Sequence, residues 1–274
     1  MEIIKNTISI GIEKPFVFLQ ISDIHLAETD ENDSEERRKF AEDRKRGFSF
    51  APEALEFVRD YVKKTGYPLF NTGDMLDFIT PENLRIVQKF VEDTGMMMVA
   101  GNHEYWHCEN NRFSFDDVHA TYAAKKHSLA KVQKVFANDI RFSCREINGV
   151  NLVCMDDSDY HIEEEIFEKL KKVEEQQKPI LLFMHIPLYS KYLKDKARYS
   201  LNAPSQFFEN CHPVDVFERT PDTLTCQICE HIRKSPLIKC VFAGHTHENM
   251  EIVGLEEQNQ IVTGCNTIRE IIVM

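Results

Sequence analysis

The chain has no apolar run approaching the about 20 residues that a membrane-spanning helix needs, so a membrane is excluded as its solvent. Its first twelve residues, Met1 to Ile12, interleave acid and base with short apolar pairs, and no secretory leader is read there. A basic excess is missing as well. The net charge is -12, whereas a surface that neutralises phosphates leaves a basic footprint. Nucleic acid is therefore an unfavoured partner, and part of the acidity is available as metal-binding carboxylate. Cys226-Gln-Ile-Cys229 has the spacing of half a zinc site but lacks a second C-x-x-C, and the same spacing suits one face of a helix. Of eight cysteines, Cys144, Cys154 and Cys240 lie in apolar strand-like runs, where a thiol behaves as a small hydrophobe. Without a leader the cysteines are expected as mostly free thiols that bind no metal, in a reducing, cytoplasmic setting. No repeat, low-complexity tract or Pro/Gly/Ser linker divides the 274 residues, so one domain over 1–274 is expected.

What is present is a soluble globular composition, 42% apolar and 28% charged, arranged as apolar runs that alternate with amphipathic segments. Phe16 to Ile21 reads as a strand. Glu28 to Arg46 follows without an apolar period and is expected as a solvated loop or insertion. Pro52 opens a helix whose face is Leu55, Val58, Tyr61 and Val62, with Gly66 as its stop. Thr80-Pro81 opens another, with Leu84, Val87, Phe90 and Val91 inward and Gly95 at its end. "YPLFNTGD" and "MMMVAGNH" are strands running into turns, and Asn148-Gly149 joins the two strands of a hairpin. Ile162, Ile166, Leu170 and Val173 mark a helix, "KPILLFMH" a strand, Thr223 to Lys234 a helix and "LIKCVFAGH" a strand. The end of the chain reads as two or three short strands. This is an α/β pattern with a mixed sheet system. The stretch 187–221 has no clear period and is expected as a lid or small subdomain.

The residues at which the apolar runs stop share a chemistry. The runs end at Asp23 and His25, at Gly73-Asp74, at Gly101-Asn102-His103-Glu104, at His185, and at Gly244-His245-Thr246-His247. Read alone, Asp23 is a helix cap, Asn102 a turn residue and His185 a core histidine. Together they are five strand ends carrying metal-ligand types, and ligands of α/β sheets sit outside the carboxyl ends of strands. Two metals about 3.5–4 Å apart need a shared ligand and several terminal ones, and a carboxylate suits the bridge. Imidazole suits Zn, Fe and Ni, and carboxylate or amide oxygen suits Mn.

The ordered pattern D-x-H, G-D, G-N-H-E, H and G-H-x-H resembles the calcineurin-like metallophosphoesterase superfamily, over about Phe16 to His247. The resemblance implies two stacked mixed β-sheets flanked by helices, a four-layer α/β/β/α sandwich. It implies two metal ions, the first on Asp23, His25 and His247, the second on Asn102, His185 and His245, with Asp74 bridging. His103 would protonate the leaving-group oxygen or steady the phosphoryl group, and Asp77 would orient it. Glu104 is either an orienter of a ligand or a surface acid. Glu248-Asn249 follow G-H-T-H where many members carry small residues.

The implied reaction is hydrolysis of a phosphate ester, with a hydroxide held between the metals attacking phosphorus in line and His103 assisting the leaving group. The expected partner is a small-molecule phosphoester, diester (nucleotide-like) or monoester, with a phosphoprotein as the further option. Tyr189, Tyr192, Tyr199 and Phe207 share 187–221 with Lys191, Lys194, Lys196 and Arg198, and they read either as a platform for base and phosphate or as a solvated loop with packed tyrosines. The alternative function is a non-catalytic scaffold of the same fold that binds a protein partner. Loss of His103 or of a ligand would mark it, and the sequence retains them all.

Overall fold

The computed structural model describes residues 1–105, 108–109, 112–113, 122–158, 160–190, 192, 222–253 and 258–274. Two mixed sheets lie face to face with helices outside, the four layers expected. The first sheet has the order β1 (Glu2–Ile8), β13 (Thr267–Val273), β2 (Phe16–Ile21), β3 (Leu69–Asn71), β4 (Met97–Met98). The second has the order β11 (Met250–Ile252), β12 (Gln260–Val262), β10 (Ile238–Ala243), β9 (Ile180–Phe183), β8 (Val150–Met155), β7 (Phe142–Ile147). Strands β2, β3 and β4 run parallel, as do β8, β9, β10 and β12, while β13 is antiparallel to β2 and β7 to β8. A short β5 (Cys108–Glu109) pairs with β6 (Arg112–Phe113) apart from both sheets.

The central strands are covered on both faces, which is why their sequences are continuous apolar runs. Alternate residues divide between two cores. Phe18, Phe70, Leu181, Phe183, Cys240 and Phe242 fill the space between the sheets. Leu19, Ile21 and Leu69 face the helices of the first sheet, and Ile180, Leu182 and Val241 those of the second. Phe18 sits edge-on to Phe70, Phe183 and Phe242 at 5.6, 5.5 and 5.2 Å. Its full burial is worth roughly 1.5–3 kcal/mol, and each edge contact adds about 0.5–1.5 kcal/mol. This aromatic cluster pins the two sheets together beneath the site.

The helices of the first sheet are α2 (Ala51–Thr65) and α3 (Pro81–Thr94), and those of the second are α5 (Glu164–Glu174) and α6 (Thr223–Lys234). A further helix, α4 (Tyr122–Val132), packs Val132 into the first core. Gly66 and Gly95 end α2 and α3 in the left-handed conformation, and their N–H groups bond Val62 O and Val91 O. Thr80 caps α3 by accepting from Asn83 N. Asn148 and Gly149 both take positive φ, as the two-residue hairpin turn between β7 and β8 requires.

Two expectations change, and one strand carries no readable signal. Glu28 to Arg46 is not a loop throughout. Glu35–Gly47 forms α1, capped by the Ser34 side chain, with acids in its first turn and Arg44, Lys45 and Arg46 in its last. Only Ala41 is buried along it, so the helix carries no apolar period to read. Glu2–Ile8 is an edge strand, parallel to β13, and its mostly exposed side chains leave little alternation. Cys226 is disulfide-bonded, whereas Cys144, Cys154, Cys229, Cys240 and Cys265 are free as expected. The lid or subdomain expected at 187–221 lies outside the described residues except for 187–190 and 192, and so do Lys191, Lys194, Lys196, Arg198, Tyr199 and Phe207. Tyr189 packs beside Ala243 and Met250, while Tyr192 is exposed. Among the described residues no helix is long and apolar enough to cross a membrane.

Candidate metal centre

The carboxyl ends of β2, β3 and β4 meet those of β9 and β10 along one edge of the sandwich. The β2 and β3 chains stay paired beyond their strands: Asp23 N donates to Gly73 O at 3.1 Å, and His25 N donates to Asp74 O at 3.0 Å. That register sets Asp23 and His25 beside Asp74. From the opposite sheet, Gly244 N donates to His185 O at 3.0 Å, and His185 Nδ1 lies 2.8 Å from Thr72 O. All seven expected ligands come together.

Two donor groups share Asp74. In the first, His25 Nε2 lies 3.0 Å from His247 Nε2, 3.8 Å from Asp23 Oδ1 and 3.7 Å from Asp74 Oδ2. His247 Nε2 lies 3.5 Å from Asp23 Oδ1. In the second, His185 Nε2 is 3.3 Å from the same Asp74 Oδ2, 3.1 Å from Asn102 Oδ1 and 3.1 Å from His245 Nδ1. Asp23, His25, His247 and Asp74, His185, His245 are each near enough together to hold one ion, as are His25, Asp74 and His103.

The backbone is strained to achieve this. Asp23, His25, Asp74, His245 and His247 have φ between +51° and +67°, the left-handed region that costs a non-glycine residue roughly 1–2 kcal/mol. Such a residue turns its side chain sharply away from the strand direction, and two positions apart the turn brings both side chains to the same crevice. The motif glycines answer a second constraint. A Cβ on Gly101 would lie 2.2 Å from Asp74 Oδ1, one on Gly73 2.5 Å from His185 Nδ1, and one on Gly244 2.6 Å from Asp23 Oδ2.

The tautomers test whether cations fit. His185 donates its Nδ1–H to Thr72 O, so Nε2 presents a lone pair to Asp74 Oδ2 and Asn102 Oδ1, which are acceptors themselves. His25 likewise has Nδ1 at 2.9 Å from Asp77 Oδ1 and turns Nε2 towards two carboxylates. Acceptors facing acceptors in a buried site require a positive charge between them. A proton supplies it in the metal-free molecule. Burial opposes charge on His25, but the bonds to Asp23 and Asp77 lift it to about 9. Burial likewise opposes charge on His185, and Asp74 lifts it to about 10. Burial keeps His245 and His247 neutral, at about 3 and about 4, as ligand imidazoles must be. The Asp74 carboxyl is held well below its ordinary range: burial pushes it up, and His185 and His103 outweigh that. The donors present therefore fit two metal ions.

Around the ligands lies a set of holders. Glu104 is fully buried and is no surface acid. Its Oε2 accepts from Asp74 N at 2.9 Å and Gly101 N at 2.7 Å, and its Oε1 from Leu76 N at 3.0 Å. Burial and the charge of Asp74 push its carboxyl up to about 8 against the donors Leu76 N and Gly101 N. His103 turns Nε2 towards Asp74 Oδ2 at 3.9 Å. Its Nδ1 is 2.7 Å from the Asp77 carbonyl oxygen and 3.3 Å from the Asp77 carboxylate, which stands nearer to His25.

Sequence reasoning passed over four neighbours. Asp157 accepts from His185 N at 2.8 Å and also from Ile186 N. Tyr160 Oη is 2.8 Å from His245 Nε2, so accepting that N–H leaves Nδ1 with the lone pair. Arg44 grips both oxygens of Asp77 at 2.7 Å. Phe48 stacks on His25 with centroids 4.1 Å apart. Asp157 was within reach of the rule that exposed the others, since β8 too is an apolar run that stops at acids. Phe48 and Arg44 carry no such signal.

Fold and centre together define an α/β/β/α protein whose strand ends gather residues able to hold a metal ion. The family model for calcineurin-like phosphoesterases matches residues 16–249, and the chain belongs to that family, whose members use divalent metals. Among solved structures it is similar to a dimetal phosphatase from Danio rerio, at 13% identity over 91% of this chain and 87% of that one, with a TM-score of 0.49. It is also similar to the phosphopantetheinyl hydrolase PptH from Mycobacterium tuberculosis, at 14% identity over 91% and 89% of the two chains, with a TM-score of 0.50. At such identity the second likeness speaks for the fold alone. No curated protein matches the chain.

Proposed function

We propose that this protein hydrolyses phosphate esters with a pair of metal ions, the first on Asp23, His25 and His247, the second on Asn102, His185 and His245, and Asp74 shared. The observation that carries the reading is the shared oxygen: Asp74 Oδ2 stands 3.3 Å from His185 Nε2 and 3.7 Å from His25 Nε2. Bound there, two cations would supply activation of water and neutralisation of phosphoryl charge. The chain's own residues do the rest. Asp77 O holds His103 at Nδ1, so Nε2 is the nitrogen left to give a proton to the departing oxygen. Glu104 holds the Asp74 loop, and Asp157 and Tyr160 hold His185 and His245. We read 1–274 as one unit because both sheets furnish ligands to one centre. The substrate class we favour is a small-molecule phosphoester.

The test is a panel of p-nitrophenyl phosphate and bis-p-nitrophenyl phosphate, assayed after chelation and reloading with Mn, Fe, Zn or Ni. Activity that disappears on chelation and returns with metal is expected, and the preferred ester separates mono- from diesterase. Full activity after complete metal removal would end the reading.

A further inference from the structure

The two donor groups are held from outside in different ways. In the second group the partners on the outer ring nitrogens are neutral, Thr72 O on His185 and Tyr160 Oη on His245, and the Asp157 carboxyl holds His185 only through its backbone N–H. Behind the first stands a charged device contributed by α1. Arg44 Nε and Nη2 make a two-pronged bond to Asp77 Oδ2 and Oδ1, each at 2.7 Å. Asp77 Oδ1 also takes His25 Nδ1 at 2.9 Å. Phe48, just past the end of α1, stacks on His25 at an interplanar angle of 19° and meets His247 edge-on at 5.6 Å. The Arg44 guanidinium lies 5.4 Å from the Phe48 ring centroid. Three buried carboxylates, Asp23, Asp74 and Asp77, crowd this end of the centre. Without a fixed counter-charge, Asp77 would be drawn to any cation placed among them and would turn away from His25.

Resting on the two-metal reading above, we infer that Arg44 of α1 and Phe48 just beyond it are positioning residues for the first metal ion alone. Arg44 neutralises Asp77 and locks its carboxylate on His25 Nδ1, so that His25 presents Nε2 inward. Phe48 closes the outer faces of His25 and His247. Planar, two-pronged geometry is what distinguishes arginine from lysine in this role.

Stepwise binding of Mn²⁺ tests it, measured by calorimetry and by the EPR signature of a coupled manganese pair, on wild type, Arg44→Gln, Arg44→Lys and Phe48→Ala. Outer partners of metal ligands typically account for about 10–100-fold in affinity. One ion should weaken by about that factor in Arg44→Gln and the other should hold its wild-type constant, with the coupled signal fading at limiting Mn²⁺. Arg44→Lys, with one prong, should recover part of the loss. Phe48→Ala, which keeps both charged partners of the Arg44–Asp77 pair, should weaken the same ion and serves if Arg44→Gln folds poorly. Two unchanged constants, or equal weakening of both ions, would overturn the inference while sparing the two-metal reading. A wild type that takes up fewer than two Mn²⁺ would overturn both.

Discussion

Replacing Gly244 with alanine adds one carbon at the most crowded turn of the centre. Gly244 is absent from the residues with positive φ, so its conformation does not demand glycine and the space does. The new Cβ would lie 1.8 Å from Ser22 Oγ, 2.9 Å from Ser22 Cβ and 2.6 Å from Asp23 Oδ2. Ser22 Oγ is buried with no hydrogen-bond partner and can swing aside. Asp23 has no such freedom, because Oδ2 accepts from His245 N at 3.0 Å while Oδ1 faces the first group. Ordinary contact begins at 3.4 Å, so Oδ2 must retreat from 2.6 Å by 0.8 Å. Overpacking of this kind costs about 1–3 kcal/mol, a fall in Tm of roughly 2–10 °C. Displacement of a reacting group by about 1 Å costs up to roughly 10²-fold in rate. Thermal unfolding, metal content and turnover should therefore all fall in Gly244→Ala. The double variant Ser22→Ala/Gly244→Ala removes the 1.8 Å contact but keeps the one to Asp23. It should regain stability and stay metal-poor. A Gly244→Ala protein with wild-type Tm and two metals, or a double variant whose stability losses simply add, would refute the reasoning.

Other outcomes follow from the same geometry. His103→Ala should keep both metals and lose about 10²–10⁴-fold in turnover, with a smaller loss on nitrophenyl esters than on alkyl esters; equal losses would leave His103 as a clamp on phosphoryl oxygen. Glu104→Gln sets an amide N–H₂ against at least one of three backbone donors and should cost about 1–3 kcal/mol in urea unfolding, a cost near zero being the contrary result. With His25 raised to about 9 and His185 to about 10 from 6.5, the stability they lend the metal-free protein is complete below pH 6.5 and lost as pH climbs through 9 to 10. Metal binding must expel those protons, so affinity should rise across that window with proton release visible by calorimetry in buffers of different ionisation enthalpy; an affinity flat between pH 6.5 and 9 would contradict this.

The parts of this molecule that could be read from sequence are those where one local rule determines the outcome. Continuous apolar runs became doubly covered strands, Gly66 and Gly95 stopped helices, and Asn148-Gly149 turned a hairpin. The clustering of Asp23, His25, Asp74, Asn102, His185, His245 and His247 was legible because they follow those runs directly, and each strand delivers its own end to the shared edge. β1 and α1 were not legible for a common reason. Each buries so little of itself that composition records only solvent. Yet α1 brings Arg44 and Phe48 to the first donor group, a contact across 33 residues from Arg44 to Asp77 that no periodicity encodes.

Five strained residues at one edge need a reason beyond packing. At roughly 1–2 kcal/mol each, Asp23, His25, Asp74, His245 and His247 together store on the order of 5–10 kcal/mol, comparable with the whole stability of an ordinary domain. The aromatic cluster between the sheets, the ladder of Asp23 and His25 along Asp74, and the three amides gathered by Glu104 supply what holds them there. Relaxing any one of the five into the β region would swing its side chain out of the crevice and leave lone pairs of the others facing one another. The strain and the ligand set are thus one feature: a backbone that turns at every strand end is what lets seven side chains from two sheets face a single point.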